Sequence, residues 1–159
     1  MKMQTPTIAK LLTLLALCLV AVSHAADKVV LGPKGGKILN NKPPYAEFFV
    51  QTDRSVLISF YDADLKPFAA AEQSAVVFAD AKAGREKLAF EKKGESLVSK
   101  TPLPSGDDYN VMVQLKPTPT AKAENFKFSF HEEKCGECKR AEYACICDGD
   151  HKGHDEKKK

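Results

Sequence analysis

From Lys28 to Glu132 the chain is built of short runs in which apolar and polar positions alternate with a period of two. In "YAEFFVQT", Tyr45, Glu47, Phe49 and Gln51 alternate with Ala46, Phe48 and Val50. Only "DR" separates this run from "SVLISFYD", in which Val56, Ile58 and Phe60 share a face, so the two predict a hairpin. "AVVFAD", "KLAFEK", "SLVSK" and "YNVMVQLK" read as further strands. In "NFKFSFHEE", Phe126, Phe128 and Phe130 alternate with Lys127, Ser129 and His131, which predicts a half-buried strand with its phenylalanines on the core side. Turn chemistry separates the runs: "GPKGG", "NNKPP", "DADLKP", "KAGRE", "KKGE" and "PLPSGDD". "KPFAAAEQSA" has room for one helical turn. The pattern as a whole predicts an all-β fold, an antiparallel Ig-like β-sandwich with a Cys-rich C-terminal tail. The paired cysteines and core tryptophan of a true immunoglobulin domain are missing, so only the architecture is expected. About 105 residues suffice to bury a core without a disulfide staple.

The N-terminus changes the compartment. Lys2 and Lys10 precede "LLTLLALCLVAV" and then "SHA". A charged stretch, an apolar stretch and a small-x-small site form the layout of a secretory signal peptide, residues 1–25. The apolar run is too short for a membrane anchor, which needs roughly 20 residues. Cys18 lies within it and is expected to leave with the signal. The β-domain then covers residues 26–132, and residues 133–159 form a Cys/His-rich segment. Its end, "GDHKGHDEKKK", has nothing to bury and is expected to be disordered. Removing the signal takes away two lysines and no acids, leaving charge nearly balanced. No nucleic-acid footprint and no stable membrane span after cleavage are expected. A secreted, periplasmic setting follows, in which disulfides persist.

Against that setting stands "KCGECKRAEYACICDGDHKGH", Lys134 to His154, with four of the five cysteines and two of the four histidines. Cys135-Gly-Glu-Cys138 has the spacing of half a zinc knuckle. Cys145 and Cys147 flank Ile146, and in an extended segment their sulfurs point to one side. If "KRAEYA" folds back as a turn, four thiolates converge on a tetrahedral site. In a continuous helix Cys138 and Cys145 lie roughly 10.5 Å apart along the axis, too far to share an ion. Such a helix would leave fewer cysteines, plus a histidine, at the site. His131, His151 and His154 are the further candidate ligands, and the donor set suits Cu(I) or Zn(II). The competing reading is two nested disulfides, Cys135 with Cys147 and Cys138 with Cys145; a bridge across Cys145-Ile146-Cys147 would be strained. A third reading, "CGEC" as a redox dithiol, lacks the βαβ framework that such motifs need.

Other features point to structure. Asp62 and Asp64 in "DADLKP" lack the remaining ligands and central glycine of a calcium loop, and a hairpin turn is expected. "GPKGG" lacks the lysine-serine/threonine pair and helix of a phosphate loop, and reads as a tight turn before "KILNN". Ser55, Ser105 and Asp107 have no histidine in a useful context. No catalytic constellation is present, and no enzyme is expected.

"GPKGGKIL…AEFFVQTDRSVLISFYDADLKP", Gly32 to Pro67, resembles a small β-domain found at the N-terminus of periplasmic heavy-metal efflux adaptors and in short secreted proteins. Where those relatives often read proline-histidine-glycine-glycine, this chain has Pro33, Lys34, Gly35 and Gly36, so no metal role carries over to that loop. The resemblance implies an envelope setting and a link to metal handling. The combined expectation is a secreted protein that binds Cu(I) or Zn(II) and buffers it or delivers it to an envelope metal-transport protein. The alternative is a non-catalytic interaction module with a disulfide-bonded tail.

Overall fold

The computed structural model describes residues 29–147. Residues 1–25, read above as a signal peptide and including Cys18, and the histidines His151 and His154 lie outside the described residues. Among the described residues nine strands are present: β1 (Lys37–Ile38), β2 (Tyr45–Val50), β3 (Val56–Tyr61), β4 (Pro67–Phe68), β5 (Ser74–Ala81), β6 (Gly84–Lys93), β7 (Ser96–Ser99), β8 (Tyr109–Lys116) and β9 (Glu124–Phe130). Each long run of alternating residues forms a strand. "KPFAAAEQSA" forms no helical turn: Pro67–Phe68 adds to β3 instead, with Phe60 opposite Phe68.

All strand pairs are antiparallel. The β2–β3 hairpin has the expected register, Tyr45 opposite Tyr61 and Val50 opposite Val56. The "DADLKP" turn closes on itself, the Asp62 carboxylate accepting from the Asp64 and Lys66 N–H groups at 2.9 Å each.

The strands follow one hydrogen-bonded path, β1-β2-β3-β7-β6-β5-β8-β9, with β4 at the side of β3. β6 makes the path continuous. Its first part, Gly84 to Ala89, pairs with β5, and its last part, Phe90 to Lys93, pairs with β7. The result is a single antiparallel sheet curled into a half-barrel.

One face of the curl carries the core: Ala46, Phe48, Val56, Ile58, Phe60 and Leu97 on one side of the β6 bend, Val77, Ala79, Leu88, Val111, Val113, Leu115 and Phe130 on the other. Among the phenylalanines of β9, Phe130 is fully buried, whereas Phe126 and Phe128 are half-buried against the same core. β9 ends the path, so only one flank is covered by a neighbouring strand. The curl nonetheless brings the path's two ends together: Phe48 of β2 and Phe128 of β9 meet edge to face, ring centres 5.2 Å apart. Among the described residues no strand pairing closes the gap between β1 and β9. The segment beyond β9 fills it.

Candidate metal centre

Arg54, held at a left-handed φ of 64° in the β2–β3 turn, donates to the Glu132 carboxylate and fixes the chain as it leaves β9. Lys134 then forms an antiparallel bridge with Ala141. Between them the chain makes a tight loop. The Cys135 N–H donates to the Arg140 carbonyl at 2.8 Å, and the Lys139 N–H donates to the Cys135 carbonyl at 3.1 Å. Lys139 takes a φ of 61° to close it. A single 3-10 turn follows, Glu142–Ala144, before the chain extends through Cys145. The chain thus folds back between the two cysteine pairs, as a site using all four sulfurs requires, and the continuous helix that would have separated them does not form.

The fold-back brings Cys135, Cys138, Cys145 and Cys147 together, with all four sulfurs within 4.8 Å of one another. Cys135 Sγ lies 3.7 Å from Cys147 Sγ, and Cys138 Sγ lies 3.7 Å from Cys145 Sγ. None is in a disulfide. A tetrahedron with metal–sulfur bonds of about 2.3 Å has an edge of about 3.8 Å, which the two 3.7 Å contacts match, while every other sulfur separation is at most 4.8 Å. Cys135 is buried and the other three sulfurs are half-exposed.

Backbone N–H groups face the sulfurs, as they must where thiolate charge is held. The Cys147 N–H donates to Cys145 Sγ at 3.4 Å. Hydrogen bonds from the Arg140 and Ile146 backbone hold the Cys138 thiol down, to about 6. Cys147 moves the other way, pushed up by desolvation and then by the neighbouring Cys145 and Cys135 sulfurs. Four packed thiols do not all ionise without a cation among them, and a dication removes that conflict. Lys37 of β1 sits beside the cluster, its ammonium 5.5 Å from the centre of the Phe128 ring. Burial pushes Lys37 down and the Cys145 sulfur draws it back up.

The knuckle is seated on the sheet by two residues between the cysteine pairs. Tyr143 enters the gap between β1 and β9. Its ring stacks on Phe130 at 5.2 Å and Phe128 at 6.4 Å and meets Phe48 edge-on at 5.9 Å. Its hydroxyl accepts the Val50 N–H at 3.1 Å. Tyr143 and Ala144 are thereby part of the core, a contact that the expectation of a separate tail did not contain. Arg140 donates to the carbonyls of Gly32 (3.3 Å) and Gly36 (3.4 Å) in the "GPKGG" loop.

That loop wraps the buried carboxylate of Glu47. Glu47 accepts from the Lys34 N–H (3.0 and 3.2 Å), the Gly36 N–H (2.8 Å) and the Tyr61 hydroxyl (2.7 Å). Glycine is required at two places: a Cβ at Gly32 would collide with the Glu47 carboxylate, and one at Gly36 with the Phe48 carbonyl. The loop is therefore a clasp that grips Glu47 through its N–H groups and Arg140 through its carbonyls.

His131 stands apart from the four-sulfur group. Its imidazole faces two carboxylates, Nδ1 3.8 Å from Asp107 and Nε2 3.7 Å from Asp108. Lys37, Arg140 and Tyr143 were not anticipated around the site; the available signal was that Tyr143 is the only aromatic residue after Phe130. Among the described residues no helix is long and apolar enough to cross a membrane. No family model, curated protein or solved structure matches the chain.

Proposed function

We infer that the protein binds a metal ion through Cys135, Cys138, Cys145 and Cys147, and that it works in the cell envelope, buffering the ion or passing it to a metal-transport partner. One observation carries the reading: four unbridged sulfurs lie within 4.8 Å, with contacts of 3.7 Å at the two nested pairs. Of the two ions the donors suit, Zn(II) fits better, because it takes four thiolates in a closed tetrahedron. Three half-exposed sulfurs support exchange with a partner, and the secretion-type N-terminus and the resemblance of Gly32 to Pro67 to efflux-adaptor domains support the envelope setting. The bend through β6 supports reading the curl as an Ig-like sandwich whose layers stay joined. The test is an anaerobic titration of reduced protein with Zn(II) and Cu(I) against a competing chelator. Binding of one ion per chain, lost in Cys145→Ser/Cys147→Ser, supports the reading; equal uptake by the wild type and the double variant overturns it.

A further inference from the structure

We propose that the knuckle is a redox-gated metal site, in which a hydroperoxide converts the nested sulfur pairs to two disulfides, Cys138–Cys145 and then Cys135–Cys147, and so releases the ion. This rests on the metal reading above and adds regulation to it. The geometry supplies the argument. The two 3.7 Å contacts both run across the fold-back, joining one member of each sequence pair to one member of the other. Closing either contact to a bond of about 2.04 Å needs a movement of under 2 Å, within reach of side-chain rotation. The local alternative across Cys145-Ile146-Cys147 would force a strained ring.

The order follows from exposure. Both sulfurs of the Cys138–Cys145 pair are half-exposed, whereas the other pair includes buried Cys135. A peroxide reaches both members of the first pair but only Cys147 of the second, so the first pair closes first. One thiolate attacks a peroxide oxygen, breaking the O–O bond; a sulfenic acid forms and the alcohol, or water from hydrogen peroxide, leaves. The partner thiolate then attacks the sulfenic sulfur and expels hydroxide, which leaves as water after taking a proton. Each pair gives two electrons to one peroxide. Two peroxides and four protons thus turn four metal-bound thiolates into two disulfides, two alcohols, two waters and a free dication. Disulfide sulfur is a poor ligand, so loss of the first pair leaves two thiolates and an open site.

The oxidised knuckle keeps the fold-back, because the nested bridges join the same two arms across which the sulfurs already face each other. Tyr143 stays in the gap, and a dithiol reductant restores the site.

The experiment uses reduced, zinc-loaded wild-type protein. Hydrogen peroxide is added in steps while a zinc chromophore reports release and mass spectrometry maps disulfides, with Cys18 scored separately. The expected result is release of most of the zinc at one equivalent, with Cys138–Cys145 as the main bridge. At two equivalents Cys135–Cys147 joins it, and zinc binding returns after a dithiol. Zinc retained at excess peroxide, bridges within Cys135–Cys138, or sulfinic acids in place of bridges would overturn the inference and leave the metal reading intact. If the reduced protein takes up no zinc at all, the metal reading falls, and the gating proposal with it.

Discussion

The curled sheet and the cysteine knuckle are stabilised in opposite ways. The sheet has a continuous apolar face of Phe48, Ile58, Leu88, Val111, Val113 and Phe130, all but inaccessible to water. Each such side chain contributes about 1.5–3 kcal/mol on burial. The knuckle from Glu133 to Cys147 buries little beyond Tyr143, Ala144 and the sulfur of Cys135. A loop that poor in apolar area does not repay its ordering entropy by burial alone. It holds its shape through backbone bonds within itself and to the residue that follows β9: the Glu142 N–H donates to the Glu133 carbonyl and the Tyr143 N–H to the His131 carbonyl. A metal ion would add the missing term. The sheet carries the fold, then, and the knuckle gathers four sulfurs beside the gap that the sheet leaves between β1 and β9.

The sharpest way to break the comparison is to remove the sulfurs. Cys145→Ser/Cys147→Ser should abolish tight zinc binding, a loss of several orders of magnitude in affinity. The metal-free melting temperature should move little, because neither residue belongs to the apolar core. A large drop in metal-free stability would show that the cysteines hold the sheet together and that sheet and knuckle are not separately stabilised.

Truncations of one aliphatic and two aromatic side chains have the next largest effects. Leu88→Ala, in β6, which pairs with neither β1 nor β9, should cost about 2–5 kcal/mol and leave zinc affinity unchanged. Tyr143→Ala should cost about 3–5 kcal/mol and also weaken zinc binding, since the ring seats the segment between the cysteine pairs. Phe128→Ala should cost less than a fully buried phenylalanine, because its ring is half-exposed at the sheet's end. Denaturant melts and chelator competition on the same samples separate the effects. A Tyr143→Ala protein with unchanged zinc affinity would uncouple the knuckle from the sheet. The chain cut after Glu132 keeps all nine strands. It should still melt cooperatively, at a lower temperature.

These contacts mark how far the sequence could be read. The strands were legible because period-two alternation is what a sheet with one buried face requires. The four-sulfur convergence was legible from spacing, on the condition of a break between the pairs. Three things were not. The alternation in "KLAFEK" says nothing about β6 changing partner halfway, since either neighbour accepts the same pattern. Glu47 falls on the alternation's outward side and reads as solvated; its burial depends on a loop eleven or more residues earlier folding over it. Tyr143 reads as one aromatic in a polar tail, and only the gap left by the curl makes it a core residue.

The pH dependence of zinc binding gives a moderate effect with a definite sign. The Cys147 thiol is pushed up, so it carries a proton at neutral pH in the metal-free protein and must release it on binding. Affinity should therefore rise with pH, by about tenfold per unit for each proton released. The Cys138 thiol, held down to about 6, is already ionised at neutral pH. Below that value it too competes for a proton, and affinity should fall more steeply. Isothermal titration in buffers of different ionisation enthalpy counts the protons. A pH-independent affinity between 5 and 8 would exclude thiolate ligation.

The smallest change tests how Tyr143 seats the knuckle. Tyr143→Phe keeps the ring against Phe48, Phe128 and Phe130 and removes only the hydroxyl that accepts the Val50 N–H. Val50 ends β2, is half-buried, and its N–H has no strand beyond it to pair with on that side. Loss of the acceptor should cost about 0.5–1.5 kcal/mol, the net worth of one hydrogen bond partly recovered by water. Zinc affinity should stay within a few-fold of wild type, because the ring still fills the gap. A loss as large as that of Tyr143→Ala would mean that the hydrogen bond to β2, rather than the aromatic stack, locks the knuckle to the sheet. The link between metal and fold would then run through the Val50 backbone.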